Sequence, residues 1–347
     1  SSMKDSSSNW RSFRGARQTQ KDLAEFLGMK MQQIQRYEAE RYQSISLRRL
    51  EMIADALCLE TSLTPKLSGN REISPVDLSN AASFPVGEMY RRGWFGAYRG
   101  TLIKALKEAP EQLAAFFERA YGPHAPLRRR YSRSRDIPHE PALLAWEARV
   151  MILADARPPA TAFRPATASH DWLRTLIGFS AVRGGVKRIE GYLRDAGIVF
   201  LVEPALPGMQ VDGAALRTAN DVAVLALTVR DYRIESFWLA LMHQLSHIIL
   251  HIATGQYDAI FYERGAASRQ DFEDEADVFA RETLIPGRQW QSCKSQYTWT
   301  SQAIAADAKR LGVGPAIVLG RIQLSVGDEE LPDGLIRGRD VRRQLAG

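Results

Sequence analysis

Two histidines, His243 and His247, stand four residues apart in the run Trp238–Leu250, which reads Trp-Leu-Ala-Leu-Met-His-Gln-Leu-Ser-His-Ile-Ile-Leu. On a helix that spacing advances about 6 Å along the axis and returns to the same face, so both imidazoles reach one metal ion. The run is apolar enough to be buried, and its few polar groups converge on the pair. A buried polar cluster needs partners, and a cation supplies them. The plainer reading of a bare His-x-x-x-His is a satisfied pair on a helix surface. The apolar context and a second set of ligand-type residues downstream favour the metal.

That second set is Phe272-Glu273-Asp274-Glu275-Ala276-Asp277-Val278-Phe279-Ala280, the opening of another amphipathic helix. Glu273 and Asp277 are four apart and share a face. A Glu from this helix can complete a His-His-Glu site, with Asp277 accepting a ligand histidine N–H. The bland alternative is two solvated acids at a helix start, where carboxylates suit the dipole. His251 lies one turn beyond His247. Three ligands from consecutive turns of one straight helix would spread over roughly 12 Å, too far for one ion with bonds of about 2 Å. His251 therefore reads as a residue that packs against a ligand or hydrogen-bonds it.

Gln244 sits between the histidines. In the zinc-protease motif His-Glu-x-x-His that position is Glu, which takes a proton from the activated water and passes it to the leaving amine. Gln has nearly the same shape and can hydrogen-bond the water, but cannot accept its proton at neutral pH. The run keeps the metal-binding residues and lacks the base.

The stretch from His243 to His251, followed after a loop by Glu273-Asp-Glu-Ala-Asp-Val-Phe-Ala-Arg-Glu-Thr-Leu-Ile-Pro286, resembles the ImmA/IrrE family of metallo-endopeptidases. The family pattern is His-Glu-x-x-His, then Glu-x-x-Ala-Asn/Asp-x-Phe-Ala ending in Leu-(Ile/Met)-Pro. The resemblance implies a zincin-like peptidase domain with Zn2+ as cofactor. It makes His243 and His247 the zinc histidines and Glu273 the third ligand, with Glu275 competing for that role. It puts Gln244 at the catalytic position. An engineered inactivating change and a natural pseudoenzyme both explain Gln244. The leading Ser1-Ser2-Met3 reads as the remnant of a cleaved tag before a start Met, which favours the first. Just ahead of the metal helix, Tyr232 or Arg233 is a candidate for stabilising an oxyanion, against the simpler reading of a packed strand–helix corner.

A second signal lies near the N-terminus. Thr19 to Gly28 is an N-capped amphipathic segment closed by Gly, followed by a turn, by Met31 to Glu38, and by Leu47 to Leu59 with apolar residues at helical spacing. This resembles the Cro/repressor-type (XRE) helix-turn-helix, with Ile34 at the buried position of the second helix. Gln32, Gln33, Gln35 and Arg36 on that helix suit the major groove of double-stranded DNA, Gln being bidentate to adenine and Arg to guanine. Residues 11–50 carry nine Lys or Arg against four Asp or Glu, a modestly basic face. The alternative is a helix-turn-helix used only for dimerisation or to grip a protein.

The 347 residues, 45% of them hydrophobic, suffice for two or three domains. Expected are a helix-turn-helix domain over 1–66, a Ser/Pro/Asn-rich linker over 67–83, a mostly helical middle over 84–165, and the peptidase domain over 166–347. The fold class expected is α+β and mainly helical: a helix-turn-helix bundle, a helical middle and a zincin-like domain with a small sheet. Phe84 to Trp94 resembles a segment of longer ImmA/IrrE proteins that follow a helix-turn-helix, many described as HigA-like antitoxins. The middle region's predicted core is Leu113, Phe116, Phe117, Leu143, Trp146 and Val150. Arg128 to Arg135 is read as a solvated basic loop, with a phosphate-contacting patch as the alternative. In the last region Ile189–Ala196 is predicted helical, with strands over 197–202 and 222–229. Two cysteines far apart, Cys58 and Cys293, read as buried thiols and exclude a disulfide framework. With no apolar stretch near 20 residues and no signal peptide, the expected location is cytoplasmic, away from any membrane.

These readings converge on a homodimeric, DNA-binding regulator with a zinc-dependent endopeptidase domain acting on a repressor or antitoxin protein. The resemblance supplies that substrate class. The rival is a non-catalytic regulator using a metallopeptidase-like fold for sensing or dimerisation, with Gln244 native. A hydrolase of small molecules has no feature in its favour.

Overall fold

In a computed structural model the described residues are 31, 32, 34, 35, 78–122, 130–132, 140–255, 259–262, 271–326, 334–335 and 340–346. Contacts divide the chain into two units, Ser1–Gly69 with Arg269–Asp274, and Asn70–Ser268 with Glu275–Gly347. In the first unit Met31, Gln32, Ile34 and Gln35 are helical. Ile34 is fully buried while Gln32 and Gln35 are exposed, the pattern expected of the second helix of a helix-turn-helix. Gln33 and Arg36 lie outside the described residues, as does Cys58.

The second unit opens with helices α1 (Val86–Arg91), α2 (Leu102–Lys107), α3 (Ala109–Tyr121) and α4 (Glu140–Asp155), with strand β1 (Arg130–Ser132) between the last two. Next come α5 (His170–Gly178), α6 (Arg188–Asp195), β2 (Ile198–Val202), β3 (Gly213–Arg217), β4 (Ala223–Leu227) and α7 (Ile234–His247). Strand β5 (Ala259–Tyr262) precedes α8 (Asp271–Leu284), whose residues up to Asp274 are counted with the first unit, then α9 (Gly287–Trp290), α10 (Ser301–Leu311), α11 (Pro315–Val326) and α12 (Arg342–Ala346). Local chemistry sets several of these limits. Thr101, Ser169 and Thr300 accept the N–H three residues on and start α2, α5 and α10, while Gly312, at φ +69°, stops α10.

The strands form one mixed sheet in the order β1-β5-β3-β4-β2. β3 runs antiparallel to both of its neighbours, and β2 pairs parallel with β4 from Ile198↔Ala223 to Val202↔Leu227. Successive strand residues face opposite sides. Val199, Ala214, Leu216, Val224 and Ala226 join one core with Leu113, Phe116, Phe117, Leu143, Trp146 and Val150 of α3 and α4. All six residues expected in the middle region's core are buried. The opposite side of the sheet receives α7, where the Phe200 and Phe237 rings meet edge to face at 6.4 Å. α11 packs on α7 as well, so the helix is enclosed between sheet and helix.

Polar contacts tie the middle helices to the end of β2. Trp146 Nε1 donates to the Glu203 carbonyl at 2.8 Å, and the Arg92 guanidinium donates to the carbonyls of Pro204 and Ala205. Burial pushes the Glu203 carboxyl up, partly offset by Arg149 and Arg92. The basic run Arg128–Arg135 departs from its expected form: Arg130–Ser132 pairs parallel with Ala259–Phe261 as an edge strand, because the neighbouring strand supplies a ladder. The predicted helix over 189–196 and strands over 197–202 and 222–229 coincide with α6, β2 and β4. Leu78–Ser83, read as the end of a linker, forms a 3-10 turn with Ala81 buried.

Two stability outcomes follow from this packing. Trp146→Ala removes a fully buried indole and its hydrogen bond, and is expected to cost about 3–5 kcal/mol by urea denaturation. Asp307, almost fully buried, loses by desolvation but gains more from the Ser295 N–H (2.8 Å) and the Arg310 guanidinium (3.2 Å), so its pKa falls below the ordinary 3.8. A depressed folded pKa stabilises above the unfolded value and ceases to as pH drops through the folded one. The stability gap between the unsubstituted chain and Asp307→Asn should therefore be full near pH 6 and shrink below about pH 4.

Candidate metal centre

Helix α7 carries His243, Gln244 and His247 with almost no exposure, along with Ser246. α8 lies against it through small residues. Ser246 Oγ donates to the His243 carbonyl at 2.6 Å and reaches the Ala276 carbonyl at 3.4 Å, an approach open to a fully buried alanine. The buried positions of α8 are Phe272, Glu273, Ala276, Ala280 and Leu284, a stripe at helical spacing, while Asp274 and Val278 face out. Glu273 thus lies on the buried side one turn ahead of Asp277.

The ligand atoms of His243, His247 and Glu273 all lie within 4.8 Å of one another, and all three residues are buried. His243 Nε2 and His247 Nε2 face each other at 2.9 Å. Asp277 Oδ1 stands 2.9 Å from His243 Nδ1. An ionised carboxylate only accepts, so His243 donates from Nδ1 and keeps its lone pair at Nε2, on the side of the cluster. The sequence-predicted His243, His247, Glu273 and Asp277 are therefore brought together. Glu275, the competing ligand, is outside the cluster; its Oε2 stands 3.3 Å from His251 Nε2. His251 in turn places Nδ1 3.1 Å from His247 Nδ1. α7 passes into a π-helical turn over Ile248–Ile252, which carries His251.

Two nitrogens and a carboxylate, buried and convergent, are the donor set zinc takes in three-ligand sites. At bonds of about 2.0–2.1 Å, tetrahedral ligands stand about 3.3 Å apart, so the 2.9 Å nitrogen pair needs a small separation to admit the ion. Gln244 supplies a further observation: among the described residues neither its Oε1 nor its Nε2 has a hydrogen-bond partner, although the residue is fully buried. Its Cγ lies 3.3 Å from where a Cβ on Gly213 would stand, so any larger residue at the start of β3 would crowd Gln244. Gly213 went unremarked in the sequence; no local pattern marks a glycine whose neighbour is a distant helix.

Tyr232 is not brought to the cluster. It sits before the first turn of α7, and at 1.5 Å per residue Ile234 and His243 are already roughly 14 Å apart along the axis. Its backbone is left-handed (φ +56°), its carbonyl accepts from Val341 N–H at 2.8 Å, and the Arg342 guanidinium lies 3.8 Å over its ring. Arg233 is likewise engaged, with Asp231 at 3.2 Å. Both side chains are engaged by neighbours at the strand–helix corner. Beside Arg233 a small cleft is lined by the apolar Leu227, Phe237 and Ala240 and by charged groups that include Asp212 and Arg230. Ala240 is one helical turn from Gln244.

A helix-turn-helix family model matches residues 15–59. The chain carries that DNA-binding module. No curated protein matches the chain. No helix among the described residues is long and apolar enough to cross a membrane.

An unpartnered buried amide costs about 1–3 kcal/mol relative to an apolar group of the same shape. Gln244→Met is therefore expected to raise the stability of the metal-free chain by roughly 1 kcal/mol in denaturant titrations. A loss of that size instead would show that the amide is satisfied.

Proposed function

We propose that this chain is a DNA-binding transcriptional regulator whose buried His-His-Glu cluster is a zinc site of the metallo-endopeptidase type. His243, His247 and Glu273 hold the ion, and Gln244 occupies the place of the general base. The buried His-His-Glu cluster carries the reading, because three convergent ligand groups in an apolar interior have a clear role only around a cation. The zincin-like architecture, the homodimer and the protein substrate, a repressor or antitoxin, belong to the same proposal.

Zinc bound there would supply Lewis acidity, activating a water and polarising a peptide carbonyl. The chain's own residues do the rest. Asp277 keeps His243 oriented through Nδ1. A Glu at 244 would take the proton and return it to the leaving amine; the Gln present can hydrogen-bond but not carry that proton. The cleft one turn along α7 offers an apolar floor for a substrate side chain. The second reading, a regulator that uses the same fold without catalysis, is favoured by one observation, the amide at 244.

Two measurements test this. Metal analysis of the purified chain should give close to one zinc per chain, lost in His243→Ala; no metal in either after zinc loading overturns the proposal. The chain and Gln244→Glu are then each co-expressed with a repressor encoded beside the gene. Cleavage only by Gln244→Glu is expected, whereas an intact repressor with both selects the non-catalytic regulator.

A further inference from the structure

We infer that His251 and Glu275 are positioning residues that hold His247 in the one tautomer able to face a metal. The inference rests on the zinc-site reading above for its purpose but not for its geometry.

A neutral imidazole has one N–H and one lone pair, and the partner of either nitrogen fixes the other. Glu275 Oε2 lies 3.3 Å from His251 Nε2. An ionised carboxylate accepts only, so His251 donates from Nε2 and leaves its lone pair on Nδ1. That lone pair is 3.1 Å from His247 Nδ1. His247 must then donate from Nδ1, which leaves its own lone pair on Nε2. His247 Nε2 is the atom 2.9 Å from His243 Nε2. Each histidine of the cluster is thus anchored by a carboxylate on α8: His243 directly by Asp277, and His247 through His251 by Glu275.

The two anchors explain the chain's geometry. Asp277 and Glu275 lie two residues apart on α8, so they diverge around the helix and reach histidines at different levels of α7. The π-helical turn Ile248–Ile252 carries His251 just where a plain α-helix would continue. His247 and His251 have ring centroids 5.2 Å apart and 48° between their planes, and both are almost fully buried. A histidine in this place is more than packing, since an apolar residue there would leave His247 Nδ1–H without this acceptor. Sequence spacing alone made His251 a residue beside the ligands and Glu275 a rival ligand; together they form one relay.

The test begins with the unsubstituted full chain, labelled with 15N-histidine and freed of metal. Long-range 1H–15N correlation spectra, assigned by single His substitutions, report which ring nitrogen carries the proton. Expected are a proton on Nδ1 of His247 and on Nε2 of His251, the second with a bare Nδ1. A bare Nδ1 on His247 overturns the inference, whatever the zinc content. Zinc affinity, measured by chelator competition, gives the second readout. His251→Ala and Glu275→Leu should each weaken zinc binding by about 10–100-fold, while Glu275→Gln, which keeps an acceptor for His251 Nε2–H, should stay within a few-fold. Affinity unchanged in His251→Ala overturns the relay. The expected tautomers in a chain that takes up no zinc would overturn the proposed function and leave the relay standing.

Discussion

Two imidazole nitrogens 2.9 Å apart in a nearly solvent-free interior set the terms for the second unit. Each ring has its other nitrogen committed to a neighbour, so the facing atoms are both acceptors unless a proton or a metal ion lies between them. Burial of that kind is tolerated only when the surroundings hold every member in place. The surroundings do so from several sides. The sheet closes over α7 with β3 and β4, α11 covers another face, and α8 approaches through Ala276 under the Ser246 hydroxyl. Gly213 gives β3 the clearance to pass beside Gln244. Adding one methyl group at that glycine would meet Leu227 Cδ2 at 2.8 Å and the Ala226 carbonyl at 3.0 Å, so the strand register and the site share a constraint.

Much of this was legible in the chain because helices announce themselves by period. The apolar run around His243 and the acid-and-alanine stripe of α8 are local patterns, and the ligand set follows from two spacings of four. Strands β2 and β4 were legible as continuous apolar runs, the form a strand takes when both faces are covered. The remaining strands were not. β3 reads Gly-Ala-Ala-Leu-Arg, residues of poor strand propensity, and is made a strand by ladders on both sides. β1 is a three-residue piece of a basic run whose partner is more than a hundred residues away. Tyr232 adjoins the start of α7 in sequence, but nearness to the start of a helix says nothing of nearness to its far end. The clamp that holds it comes from the C-terminal segment, through Val341 and Arg342.

The helix-turn-helix match lies in the first unit, and the two histidines of the buried cluster lie in the second. In the first unit the exposed Gln32 and Gln35 with the buried Ile34 reproduce the division of labour of a groove-reading helix, one face inward and one free. The cluster is buried, a donor arrangement that could hold a metal ion.

Gln244 is where the two readings of the second unit part, and the physics of that position goes further than the loss of a base. At this depth a glutamate would be a buried charge beside Glu273, and like charges in a low-dielectric site raise each other's cost until a cation offsets them. A glutamate form would therefore be strongly coupled to metal, its folding drawing on the binding energy of the ion. The glutamine form carries one buried carboxylate in the cluster instead of two. Its site could be completed by a metal ion, and its fold would depend on such an ion less than that of a glutamate form. Relative to a glutamate form, the absence of a base and a weaker dependence on metal would thus go together. That combination suits a protein kept intact for capture of its substrate and a regulator for which the cluster serves as scaffold.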